Sequence, residues 1–137
     1  MTQGPIRLRI GVLDDDPCVA QLNSLCLIHM GHFAVPYFSV PSLLNDLAHR
    51  NFNACLLVWN VGDVTSRSHI AAVRAIDGNA PIVVLSGHGA GTDDLCYRNI
   101  ALSANELRFI TFQKPTRIPH IAATLLSAMP DACRKVA

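Results

Sequence analysis

The sequence predicts an α/β domain: an open, doubly wound three-layer sandwich in which five parallel strands alternate with five helices. Three observations predict it. Apolar runs of strand length alternate with stretches of helical periodicity from one end of the chain to the other. Three of those runs are almost continuously apolar, as strands covered on both faces must be. The chain has 137 residues, half of them apolar and only 15% charged, which is enough for one domain with a real core and excludes a disordered chain. Connections of this kind are expected to be right-handed crossovers.

The elements follow in order. The first strand is expected over 8–13, and the first helix after it buries a stripe of Val19, Leu22, Leu25, Cys26 and Ile28, with Gly31 ending it. A more mixed second strand over 34–38 suits a place near a sheet edge. Ser39 then caps a helix that carries Pro41 in its first turn and faces inward with Leu43, Leu44 and Leu47. The third strand covers 54–59, and Ile70, Val73 and Ile76 mark the third helix, closed by Gly78. After a fourth strand over 82–85, Thr92, Asp93 and Asp94 form the opening turn of a helix over 95–102. The fifth strand covers 109–112 and the last helix 118–129, its inner face made by Ile121, Leu125 and Leu126. One domain is expected over 1–130, with 131–137 a tail or the start of a linker to a further domain.

Composition excludes several functions. A net charge of +1 with no basic cluster beyond Arg7 and Arg9 argues against direct nucleic-acid binding. Neither a signal segment nor a membrane span can be read, so the expected location is cytoplasmic, without a membrane partner. Cys18, Cys26, Cys55, Cys96 and Cys133 form no CxxC pair and read as idle reduced thiols. His29 and His32 read as a solvated helix end, and the glycine-rich stretch Gly87-His88-Gly89-Ala90-Gly91 as a loop, since it lacks phosphate-loop spacing. Trp59 reads as a partly exposed packing residue or a partner contact.

In an open parallel sheet, functional groups gather beyond the carboxyl ends of the strands. Those ends carry Asp14-Asp15-Asp16, Val58-Trp59-Asn60, Ser86-Gly87 and Lys114-Pro115. Carboxylates, a hydroxyl and a lysine around one crevice are the parts of magnesium-assisted phosphoryl transfer. Three carboxylates before a helix also suit its N-terminal end without any metal.

With four motifs in this order, the chain from Arg7 to Met129 resembles the receiver domain of bacterial response regulators, and in its Trp59-Asn60 the single-domain chemotaxis regulators in particular. The resemblance implies a flavodoxin-like sandwich with strand order 2-1-3-4-5. It places Asp14 and Asp15 on the acidic pair, with Asp15 the direct metal ligand, Ser86 on the phosphoryl-contacting hydroxyl and Lys114 on the family's lysine. It also places Val58 on the phosphoacceptor aspartate. Three departures stand out: Val58 has no nucleophilic or metal-binding atom, Thr111 stands where the family carries an aromatic switch residue, and Gly62 replaces a proline. A register slip would put Asn60 at the acceptor, which leaves the loss in place, and Asp63 is the nearest surrogate carboxylate.

The expected protein is therefore an atypical receiver without enzymatic activity: a phosphorylation-independent protein-interaction or dimerisation module in two-component signalling. No cofactor is expected to be required. Mg2+ at Asp15 and Asp14 is expected to be weak, because losing the third carboxylate removes the repulsion that demanded a cation, and Lys114 suffices as partner. The resemblance implies partners (a sensor kinase, an output domain or a second copy) on the face of the fourth helix, fifth strand and fifth helix, around 95–102, 109–113 and 118–126. Two alternatives remain: a receiver that accepts phosphate on a surrogate group, and a small nucleotide- or flavin-binding protein using the same crevice.

Overall fold

The computed structural model describes residues 7–49, 52–61, 64–65, 68–86, 94–114 and 116–129. In chain order these form β1 (Arg9–Leu13), α1 (Pro17–His29), β2 (Phe33–Tyr37), α2 (Val40–Leu47), β3 (Ala54–Val58), β4 (Asn60–Val61), β5 (Val64–Thr65), α3 (Ser68–Ile76), β6 (Ile82–Ser86), α4 (Asp94–Leu107), β7 (Ile110–Gln113) and α5 (Ile118–Ser127). Five strands make one parallel sheet in the order β2-β1-β3-β6-β7. Counted along the chain, that is the predicted order 2-1-3-4-5. The pair β4 and β5 is a separate antiparallel ladder of two residues a side, too short to leave a periodic signal in the sequence.

Alternation along the central strands divides the core in two. On one face Leu13, Leu57, Val84, Ile70, Val73 and Ile100 pack together, under α2, α3 and α4. On the other, Ile10, Val12, Leu56, Val83, Ile121 and Leu125 lie under α1 and α5. Each fully buried side chain of this size stabilises by about 1.5–3 kcal/mol. Gly11 leaves little room on β1: a Cβ would stand 3.0 Å from Leu43 Cδ1 of α2, which would have to shift to admit it.

The inner face of α1 differs from the expectation. Leu22 and Leu25 are 61% and 62% exposed and Ile28 is exposed too, while Ala20, Ser24 and Leu27 turn inward. Residues 17–29 include no charged side chain apart from the terminal His29, so apolar periodicity does not single out one face. The inner face is made by small Ala20 and Ser24 together with Leu27, and Leu22 and Leu25 lie outside. Gly31, at φ +97, follows the helix as expected.

Helix α4 runs to Leu107, beyond the predicted 102, and buries Ile100 and Ser103 while Leu102 and the α3 residue Ile76 are exposed. Arg74 of α3 accounts for the extension. Its guanidinium donates to the Leu107 and Arg108 carbonyls (2.9 and 2.6 Å), which α4 leaves unsatisfied at its end, and to the Ala80 carbonyl ahead of β6 (2.6 Å). The turn after α3 is closed less by Gly78 than by Asp77, whose Oδ1 accepts from the Asn79 and Ala80 amides. Ser39 holds the N-cap position of α2 without capping its backbone; its hydroxyl pairs with that of Ser42 instead. No described helix is long and apolar enough to cross a membrane.

Candidate functional site

The carboxyl ends of β1, β3, β6 and β7 lie along one end of the sheet, where Asp14, Val58, Ser86 and Lys114 stand. Asp14 follows β1, its amide tied to the Tyr37 carbonyl (3.1 Å), and is buried. One carboxylate oxygen accepts from the Asp16 amide (3.0 Å), and the other takes Lys114 Nζ at 3.3 Å. Lys114 is itself fixed, since its amide donates to the Ser86 carbonyl at 2.7 Å. Because β3 and β6 lie between β1 and β7, the Lys114–Asp14 bridge spans the ends of the strands that finish in Val58 and Ser86. The lysine thus links the end of β7 to the end of β1.

The three adjacent carboxylates divide their work. Asp14 is the buried one, Asp15 is exposed, and Asp16 caps α1 by accepting from the Cys18 amide at 3.0 Å. The helix-terminus reading holds for Asp16, and the ionic reading for Asp14.

Val58 is 6% exposed and belongs to the hydrophobic cluster with Leu57, Trp59 and Ile70. Its carbonyl is bonded at 2.8 Å to Nε2 of His69, a residue of the first turn of α3 that is 2% exposed. A carbonyl only accepts, so Nε2 carries a proton and is the donor of this bond. Its Nδ1 is buried with no hydrogen-bond partner among the described residues. Burial holds the His69 pKa below its ordinary value, with the Val58 bond opposing in part. Nothing in the sequence points to His69, because a lone histidine beside Ile70 in an apolar helix has no pattern.

Trp59 departs from expectation: it is buried at 3%, tilted against Phe109 at 6.4 Å between ring centroids, with its amide bonded to the Leu85 carbonyl at 2.8 Å. It is core, not a surface contact. Thr111 is half-buried in β7 opposite Val84 and supplies no ring. The Asn60 side chain, Gly62, Asp63, the stretch from Gly87 to Asp93 and Pro115 lie outside the described residues.

A magnesium ion fits this donor set poorly. Position 58 offers no side-chain oxygen, and both Asp14 oxygens are engaged by Asp16 and Lys114. Asp15 is exposed, and an ion that prefers rigid octahedral oxygen coordination would have to take the rest of its shell from water or backbone. Among the described residues no three His, Cys, Asp or Glu side chains cluster as a metal site. His32 is half-buried, not solvated: its Nδ1 accepts from the Leu8 amide (3.1 Å) and fastens β2 to the start of β1, and burial and then the Arg7 charge lower its pKa. Cys18, Cys26 and Cys55 are free thiols. Burial, then the charge of Asp77, pushes Cys55 up to about 12, so it stays protonated and inert. The Cys96 side chain and Cys133 lie outside the described residues.

Exposed apolar side chains include Phe33, Phe38 and Ile76, and two surfaces gather others of them beside a groove. One is the predicted face of α4, β7 and α5, where Leu102 and Ile110 are exposed and a groove of about 320 Å³ runs along Ile110, His120 and Thr124. The other is the outer side of α1 with Leu22, Leu25, Ile28 and Met30.

No family model and no curated protein matches this sequence. Solved structures do match over nearly its whole length. A response regulator receiver domain protein (CheY-like) from Methanospirillum hungatei superposes with a TM-score of 0.78 at 14% identity, over 94% of this chain and 98% of that one. The chemotaxis protein CheY4 of Vibrio cholerae gives 0.75 at 16% identity, over 90% of this chain and 99% of its own. A response regulator protein from Burkholderia pseudomallei, solved with a phosphorylated aspartic acid, gives 0.74 at 20% identity, over 86% of this chain and 66% of that one. At these identities the likeness is one of fold: the chain has the flavodoxin-like fold that receiver domains share.

Proposed function

We propose that this chain is an atypical receiver domain of bacterial two-component signalling that works without phosphorylation, as a protein-interaction module. The observation that carries the reading is Val58. At the position that the resemblance gives to the acceptor there is a hydrocarbon side chain packed in the core, and Lys114 is paired with Asp14. An aspartyl phosphate needs a carboxylate nucleophile and oxygen ligands for a divalent ion. Position 58 supplies no carboxylate, and Asp14 and Lys114 are engaged with each other. The pocket instead serves to hold strand ends together.

With no phosphate to bias it, such a domain is fixed in one state or is shifted by a partner with unequal affinity for two states. The face of α4, β7 and α5, with exposed Leu102 and Ile110, is the surface proposed for a sensor kinase or an output domain. Intact-mass measurement after incubation with acetyl phosphate and magnesium tests the reading. No adduct is expected on the natural protein. A stable gain of one phosphoryl group would overturn it and point to a surrogate such as Asp63.

A further inference from the structure

Helix α1 presents an outer face that a helix of an isolated domain has no reason to carry. Cys18, Leu22, Leu25 and His29 follow one another at intervals of four, three and four residues, the spacing of a coiled-coil seam. All four are exposed, on the side away from buried Ala20, Ser24 and Leu27. Beside the C-terminal half of this seam runs a groove of about 700 Å³ between α1 and the start of α5, bordered by Leu25, Cys26, Met30, Ile118 and Arg117. Exposed leucines next to an apolar groove mark an interaction surface.

We propose that this face binds a second copy of the chain, α1 against α1 in antiparallel orientation about a two-fold axis. Three features select that occupant. The seam carries no Asp, Glu, Lys or Arg, so two copies meet without like-charge repulsion, and a strongly charged partner gains nothing from it. A two-fold axis passing between Leu22 and Leu25 sets Leu22 of each copy against Leu25 of the other. Each Leu22 then lies beside its partner's groove, a knob and a hole on the same surface, as an isologous contact requires. The ends of the helix are also complementary: Asp15 and Asp16 stand at its start, His29 and Arg117 at its finish. An antiparallel pair brings the acidic end to the basic end twice and opposes the helix dipoles favourably. A parallel pair does neither.

The contact is small. Thirteen residues make a helix about 20 Å long, and one helix face with its groove falls near the lower limit of roughly 1,200 Å² for specific interfaces. A contact at that limit is expected to be a weak one. The proposal uses only α1 and α5, so it stands or falls separately from phosphorylation at position 58.

Sedimentation velocity over a micromolar concentration series tests it, with thermal unfolding as the control for folding. The natural protein is expected to shift from monomer to dimer across the series. L25E, at an exposed position, should keep its melting temperature and weaken dimerisation at least tenfold. The double variant L22K/L25E should regain dimerisation at low salt, because only the antiparallel register sets the introduced ammonium of one copy against the introduced carboxylate of the other. L102E, on the face of α4, β7 and α5, should dimerise as the natural protein does. A natural protein that stays monomeric throughout overturns the proposal, as does unaltered dimerisation of L25E or its loss in L102E. Failure of the L22K/L25E pair to recover overturns the antiparallel register.

Discussion

The crevice at the carboxyl ends of the strands has two corners built on opposite principles. At the corner of Asp14 and Lys114 the polar groups are partnered: Asp16 N–H and Lys114 on the carboxylate, Ser86 carbonyl on the Lys114 amide. At the corner of Val58, one strand away in the sheet, the side chain is hydrocarbon in the core, and the bond that His69 makes there goes to the Val58 backbone carbonyl. The difference separates two jobs that one pocket can hold. The polar corner ties β1 to β7, a structural task that persists whatever the chemistry. An acceptor side chain has no such task, and a valine there adds to the core.

The sharpest way to break the contrast is to put a carboxylate into the apolar corner. V58D buries a charge among Leu57, Trp59 and Ile70, on the strand next to the one that ends at Asp14. An uncompensated buried charge costs about 3–5 kcal/mol, so a fall of that order in denaturant stability is expected. Magnesium should recover part of it, about 1.4 kcal/mol at roughly ten times its dissociation constant, and should shift the natural protein far less. If V58D were as stable as the natural protein without magnesium, position 58 would not be a dry corner.

His69 comes next. Removing it in H69A leaves the buried Val58 carbonyl without its donor and opens space in the first turn of α3; together these should cost about 2–3 kcal/mol. The same residue gives the apolar corner a pH dependence. Both His69 and His32 have folded pKa values below the ordinary 6.5 or so, so the unfolded chain binds more protons in the window beneath that value. Stability is then complete above about pH 6.5 and falls as the pH drops below it, by at most roughly 1.4 kcal/mol per pH unit for each histidine. Equilibrium unfolding between about pH 7.5 and about pH 5, which brackets the free histidine range, checks this. H69Q, which keeps a donor and cannot titrate, should flatten the profile; an unchanged slope would assign the effect to His32 alone.

The two corners were not equally legible in the sequence. The strands could be placed because Val83, Val84 and Leu85, or Cys55, Leu56 and Leu57, are apolar on both faces, and only a central parallel strand needs that. Asp14, Ser86 and Lys114 were readable because each follows such a run, where topology forces a crevice. The face of α1 was not, since its apolar and uncharged polar residues are spread around the helix and give no clear phase, and its inner side holds Ser24 with Ala20 and Leu27. His69 and Arg74 were invisible for another reason. Their partners are backbone carbonyls of Val58, Ala80, Leu107 and Arg108, and carbonyls leave no trace in a sequence.

The smallest expected effect lies at the polar corner and concerns its ion pair. Lys114 keeps more than a third of its side chain in solvent while Asp14 is almost covered, so water screens the pair and can replace the ammonium when it is removed. K114Q should therefore cost under about 1 kcal/mol, and a double-mutant cycle with D14N should give a coupling of about 0.5–1 kcal/mol. The backbone bonds from Asp14 to Tyr37 and from Lys114 to Ser86 survive both substitutions. If the coupling instead exceeded about 2 kcal/mol, the bridge would behave as a buried pair, and the lysine would be the keystone of the crevice. A weak coupling places the strength of this corner in its backbone bonds, from Asp14 to Tyr37 and from Lys114 to Ser86.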